Sequence, residues 1–215
     1  MTETTAVRVK PRLRGIFHLL GFLVSIPLGV LVVVDAEEGT PRVAAIVFAA
    51  TVVTMFGASA LYHCPTWSDE QRRWLRRLDH AGIFGLIAGT YTPFGLLVLD
   101  GWWRSVVLGV VWVGSAISVV LRLFWATMPK WLTAVLAVGL GWVAIVAAPL
   151  IVARVGVTAS LLVVAGGAAY TAGAVIYARR KPDWHPAVFG YHELFHVLVV
   201  AAVALQYASV ALIVS

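Results

Sequence analysis

The stretch HELFHVLVVAAVALQY, His192 to Tyr207, opens with the pattern H-E-x-x-H and passes without a break into an apolar run. On a soluble helix that pattern sets two histidines one turn apart on a metal and leaves the intervening Glu to activate a water. Here the histidines stand at the mouth of a hydrophobic helix. The reading of that helix decides both the fold and the setting of the candidate site.

Composition places the helix in a membrane. Of 215 residues 61% are hydrophobic and 12% charged, and the mean hydropathy is +0.92. A soluble domain carries about 25% charged residues, so this chain cannot cover a water-facing surface. Crossing a bilayer takes about 20 apolar residues. Runs of that kind fall at 15–35, 43–63, 79–99, 105–125, 131–151, 157–178 and 191–213. Charged or Pro- and Gly-bearing connectors such as DAEEGTPR, DGWWR and ATMPK separate them. VRVKPRLR ahead of the first run imitates a signal peptide, but the apolar core exceeds the roughly 7–15 residues of a signal h-region and reads as a span. No internal repeat stands out. The expected fold is an all-α membrane protein, a seven-transmembrane helix bundle, with residues 1–14 as a basic N-terminus and 15–215 as a single domain.

The cations orient the bundle. Arg8, Lys10, Arg12 and Arg14, then Arg72, Arg73, Arg76 and Arg77, then Arg122 and Lys130, then Arg179, Arg180 and Lys181 all fall on one side of a seven-span chain. Only Arg42, Arg104 and Arg154 of the 16 Lys and Arg fall on the other. The positive-inside rule predicts a cytoplasmic N-terminus and an outside C-terminus. The net charge of +6 is thus a topology signal, with anionic lipid as a natural contact. No nucleic-acid motif accompanies it, and nucleic acid is not an expected partner. The single cysteine, Cys64, excludes an internal disulfide and a multi-Cys metal cluster.

Ionisable groups inside spans are costly and mark candidate sites. GASALYHCP closes the second run with Ser59 and His63 on one helix face. LDHAGIFGLIAGTYTPF opens the third with Asp79 and His80, and HELFH opens the seventh with His192 and His196. With alternating spans, all three clusters reach the same membrane depth on the cytoplasmic side. A metal held by His63, His192 and His196 would keep a fourth position for water or substrate, the arrangement of a catalytic rather than a structural zinc. Asp79 arrives at that level to orient the water or accept its proton.

Ser-x-x-x-His ending the second span, LDHAGI starting the third and His-x-x-x-His starting the seventh together resemble the progestin and adipoQ receptor superfamily, and within it the bacterial hemolysin III proteins. The likeness extends over essentially the whole chain. It implies a seven-helix bundle in the cell membrane with Zn2+ near the cytoplasmic face, held by His63, His192 and His196. It also implies that Asp79 meets the metal through water and that Ser59 lines the site. The superfamily's relation to alkaline ceramidases implies hydrolysis of lipid amides, and the bacterial name implies cytolysis. Receptor-type members can carry Gln where this chain has Glu193, so Asp79 is the better candidate base.

Other polar residues have plainer readings. His80 points about 100° away from Asp79 and reads, like His18, as a packing hydrogen-bonder; His185 reads as a loop residue. Cys64 turns off the face of His63. Glu193 reads as an interfacial carboxylate paired with a loop Arg. Pro93 is expected to widen the bundle near the site. Three functions compete. One is a zinc-dependent lipid amide or ester hydrolase with Asp79 and Ser59 as catalytic residues and membrane lipid, sphingolipid-like or another acyl amide, as substrate. Another is a receptor-like regulator of membrane state with structural zinc. The last is a cytolysin, disfavoured because no span carries the repeated charged face of a channel lining.

Overall fold

The computed structural model describes residues 10–125 and 127–215; Arg8, counted among the N-terminal cations, lies outside them. The chain folds as α1 (Ile16–Asp35), α2 (Thr40–His63), α3 (Asp69–Pro93) with a π turn at Phe94–Val98, and α4 (Gly101–Phe124). Then follow α5 (Lys130–Gly141), a 3-10 turn at Val143–Ala147, α6 (Ala148–Arg179) and α7 (Tyr191–Val214). Among the described residues six helical segments are long and apolar enough to cross a membrane, the 50-residue stretch Lys130–Arg179 counted as one.

That stretch is not straight. Gly156 leaves helical geometry at φ 77°, ψ 175°. The Lys130 ammonium lies 4.6 Å from the Tyr177 ring centre, and Trp142 Nε1 donates to Thr171 Oγ1 at 3.0 Å. The two parts on either side of Gly156 therefore run back along one another. Arg154 fixes the corner by donating to the Val98 carbonyl, at the end of the π turn, and to the carboxylate of Asp100, which precedes α4.

Helix α3 starts well before the apolar run that the sequence reading takes as its beginning. Ser68 caps it by accepting from the Gln71 N–H, Gln71 returns the bond to the Ser68 N–H, and Asp69 and Glu70 occupy the first turn. This capping box starts a helix regardless of hydropathy. Asp79 and His80 thus sit inside α3, three turns beyond its start.

Packing is that of a membrane bundle. Leu20, Leu23, Val30, Leu31 and Val34 on α1 and Val113, Ile117 and Val120 on α4 are exposed, whereas His18, Ser59, His63, Glu193, His196, Gln206 and Ser209 are buried. Helix α2 is central, with Ala44, Ala45, Phe48, Val52 and Met55 enclosed by its neighbours. Polar groups turned inward and apolar ones outward are what a lipid solvent selects.

Candidate metal centre

The last turn of α2 and the first two turns of α7 bring His63, His192 and His196 together, their nearest ring nitrogens all within 4.8 Å of one another. His63 Nε2 and His192 Nε2 are 3.2 Å apart. Two imidazoles on a tetrahedral zinc at about 2.05 Å would stand about 3.3 Å apart, so this pair has the separation of one shared ion. His196 Nδ1 is buried without a hydrogen-bond partner. Three imidazoles converging at this spacing are a donor set that fits zinc. Asp79 adds a carboxylate, its Oδ2 3.7 Å from His63 Nε2.

The remaining sequence candidates separate cleanly. His80 is a packing hydrogen-bonder, Nε2 to Tyr177 Oη at 2.9 Å and Nδ1 to the Arg76 carbonyl at 2.6 Å. His185 lies in the α6–α7 loop, bridged to Phe189. Cys64 stands outside the histidine group, and partial burial pushes its thiol above the usual range while the Lys10 ammonium opposes the shift. Pro93 is a correction. It lies fourteen residues beyond Asp79, about 21 Å along the helix, where the π turn begins, and it shapes the far end of the bundle rather than the site.

Glu193 faces away from the histidines. It is 1% exposed; Arg14 Nε donates to Oε1 and the Gly190 N–H to Oε2. The N-terminal segment is held over this end of the bundle by Arg12 and Leu13 N–H groups donating to the Ala187 and Val188 carbonyls, and by Lys10 to the Cys64 carbonyl. Gly15 lets α1 close on the site: its φ is +87°, and a β-carbon there would stand 2.6 Å from His63 Cβ.

His18 is a packing hydrogen-bonder, as the sequence reading has it, and the structure adds that what it packs on is the centre. Its ring stacks on His196 at 3.8 Å with planes 5° apart, and Nδ1 is 2.8 Å from Ser59 Oγ. The signal was available: His18 stands one turn inside the first span, at the depth assigned to the other histidines. Beside this cluster opens a cavity of about 390 Å³, lined at one end by Ser59, Asp79, His192 and His196 and at the other by Phe94, Ile151 and Gln206. Its walls are otherwise almost wholly apolar. The span from His192 to Gln206 is about 21 Å of helix.

Fold and site together define a multi-pass integral membrane protein with a candidate three-histidine metal centre. The family described as haemolysin-III related matches residues 7–207. A hemolysin-3 homolog of Bacillus subtilis is 32% identical over 179 residues, 81% of this chain and 83% of that protein. Hemolysin-3 of Bacillus cereus is 28% identical over 96% of this chain and 93% of its own length. The adiponectin receptor protein of Drosophila melanogaster is 24% identical over 88% of this chain and 47% of its own. The chain belongs to the haemolysin-III related family, within the progestin and adipoQ receptor superfamily.

Proposed function

We propose that this protein is a zinc-dependent hydrolase of a lipid amide or ester in the bacterial cell membrane. In this reading it crosses the bilayer seven times, with its N-terminus and metal centre on the cytoplasmic side. One observation carries the activity: three histidine nitrogens converge beside a carboxylate at one end of a long apolar cavity. Support for seven crossings comes from the antiparallel pairing across Gly156, and support for the orientation from the cation distribution.

His63, His192 and His196 would hold the ion, which when bound polarises a carbonyl and acidifies a water. Asp79 takes the proton released as that water attacks and returns it to the leaving group. Ser59 donates to the developing oxyanion. His18 leaves it free to do so: with the proton on Nδ1, His18 donates to Ser59 Oγ, and its buried Nε2 is left as a lone pair rather than an unpaired N–H. The cavity takes the acyl chain and keeps it away from water.

Incubating the purified protein with a panel of lipid amides and esters, with and without chelator, tests the reading. Chelator-sensitive release of fatty acid is the expected result. Zinc that is bound but supports no turnover of any acyl amide or ester would favour the regulator with a structural clip between α2 and α7.

A further inference from the structure

Cations gather at the metal end without acids to match them. Arg76 on α3, Arg122 near the end of α4, Lys130 at the start of α5 and Arg180 just after α6 form no ion pair among the described residues. The acids of this end are committed elsewhere. Glu193 holds Arg14 and the Gly190 N–H, Asp183 Oδ1 accepts from the Tyr191 N–H at 3.1 Å, and Asp69 and Glu70 stand in the first turn of α3. Asp79 is the acid whose charge reaches Arg122, and it is turned to His63, 3.7 Å from Nε2.

Arg122 is the informative member. It is 7% exposed and its Nε is enclosed without a partner; Nη1 donates to the Met128 carbonyl at 3.2 Å. That bond aims the guanidinium at the start of α5, where Pro129 is the N-cap, no side chain caps the helix and no acid stands in the first turn. A helix start presents free N–H groups and partial positive charge, and here a lysine and a buried arginine add to it. The positive-inside rule calls for cations on the cytoplasmic side, but it gives no reason to bury one, which is costly without a counter-charge. The group also adjoins the cavity. Lys130 Nζ is 4.6 Å from the Tyr177 ring centre, and Tyr177 Oη is 2.9 Å from His80 Nε2. Arg76, Arg122 and Lys130 all act on the His80 ring through their charge, and Arg180 acts on Lys130. The Tyr177 ring centre is 5.8 Å from that of His192, and Tyr177, His80 and Thr133 in the first turn of α5 line the cavity. One aromatic ring thus stands between an ammonium and a candidate metal ligand.

We propose that Lys130, the first turn of α5 and Arg122 form a subsite for an anionic head group, so that the substrate lipid carries a carboxylate or phosphate a few bonds from its scissile amide or ester. The anion accepts from Lys130 Nζ and from the free N–H groups that start α5. Lys130 is half-buried and Trp131 beside it is exposed, so a head group can reach both. Arg122 contributes through its charge, which a low-dielectric interior screens little. The inference rests on the reading above, in which the scissile carbonyl lies at His63, His192 and His196 and the acyl chain fills the cavity. A neutral head would leave the cations unmatched, and a cationic one would be repelled.

The test is a binding measurement on the full-length protein in nanodiscs of zwitterionic phosphatidylcholine. The probes are hexadecanoyl amides that differ only in the head: ethanolamine, ethylenediamine, glycine and phosphoethanolamine, with inorganic phosphate as the free anion. The glycine and phosphoethanolamine amides should bind at least about tenfold tighter than the ethanolamine amide, and the ethylenediamine amide more weakly than it. Lys130→Gln should remove most of the preference while leaving the ethanolamine amide's affinity within about twofold. Arg122→Gln should reduce it too, and Arg122→Lys should restore it, which separates lost charge from a loosened turn between α4 and α5. Arg73→Gln removes an exposed cation from the same end and should change nothing. Equal binding of all heads overturns the subsite, as does a preference that survives both Lys130→Gln and Arg122→Gln. A loss in Arg73→Gln as large as in Lys130→Gln would mean diffuse surface charge and overturns it as well. Inorganic phosphate binding as tightly as the phosphoethanolamine amide would make this a free-anion site and end the head-group assignment. The preference should persist after chelation; if it vanishes, the anion sits on the metal and the subsite is wrong. Should anionic heads be preferred while no amide is cleaved, the hydrolase reading fails and the subsite stands. Equal cleavage of neutral and anionic amides, with no binding preference, has the opposite meaning.

Discussion

Replacing Gly15 by Ala asks whether the start of α1 is fitted to the metal centre. The substitution has two separable costs. At φ +87° any β-carbon is strained, at about 1–3 kcal/mol. The new carbon would also stand 2.6 Å from His63 Cβ and 3.0 Å from Cys64 Sγ. Ordinary carbon contacts are about 3.5–4.0 Å, so α1 or the end of α2 must give by roughly an ångström, an overpacking cost of about 1–3 kcal/mol. Gly39 supplies the control: its φ is +89°, but a β-carbon there meets nothing within 4 Å. Gly39→Ala should therefore cost backbone strain alone, at ψ −132° against −13° for Gly15, and Gly15→Ala should add about 1–3 kcal/mol of overpacking to its own strain. Because the extra displacement falls on His63, Gly15→Ala should also weaken zinc retention, whereas Gly39→Ala should not. Thermal unfolding of both variants, with zinc content measured on the same samples, reads both effects. Equal destabilisation by the two and full zinc in Gly15→Ala would refute the fit.

Further outcomes follow from the site. The protein should purify with about one zinc per chain; replacing His192 and His196 together by Ala should abolish it, and Cys64→Ser should leave it unchanged, as metal analysis will show. A cysteine placed in the SDEQRR stretch that starts α3 should react with impermeant reagents only after cells are opened, while one after Ser215 should react in intact cells; the reverse would put the metal centre outside. Asp79→Asn should keep the zinc and slow lipid hydrolysis by roughly 10²–10⁴-fold, the usual cost of losing a general base. Glu193→Gln should slow it less than about tenfold but lower thermal stability, since it replaces a buried carboxylate that pairs with Arg14.

Those features of the fold that depend on solvent were legible in the sequence. An apolar run flanked by charges can satisfy its backbone in lipid only as a helix, and the ends of α1, α2, α4 and α7 fall within a few residues of the hydropathy boundaries. Hydropathy could not place the start of α3, because a capping box in polar sequence starts a helix before the apolar part begins. It also could not show how Gly156 turns α6 back, which is a matter of backbone conformation. At the site, His63, Asp79, His192 and His196 were legible because ionisable groups at one depth are rare in spans. Arg14 and Tyr177 were not, because their partners, Glu193 and His80, lie far away in sequence. The cavity was not either, being a property of side chains from several helices.

The motif HELFH shows how one pattern carries two structural roles. A helix sets residues four apart on one face, which is why His192 and His196 both turn toward His63. The residue after His192 is rotated by about 100° and faces a different neighbour. In a soluble zinc protease that neighbour is the substrate cleft. Here it is the N-terminal segment, and Glu193 sits in the first turn of α7, where the helix dipole favours a negative charge. Its two oxygens are taken by Arg14 and by the Gly190 N–H. To act as a base at the metal it would have to break both bonds and abandon a half-buried cation. Asp79 reaches the same centre from α3 without giving up any such partner, and it opens onto the cavity. Within the same pattern, then, the histidines serve the site and the glutamate holds closed the end of the bundle in which the site lies.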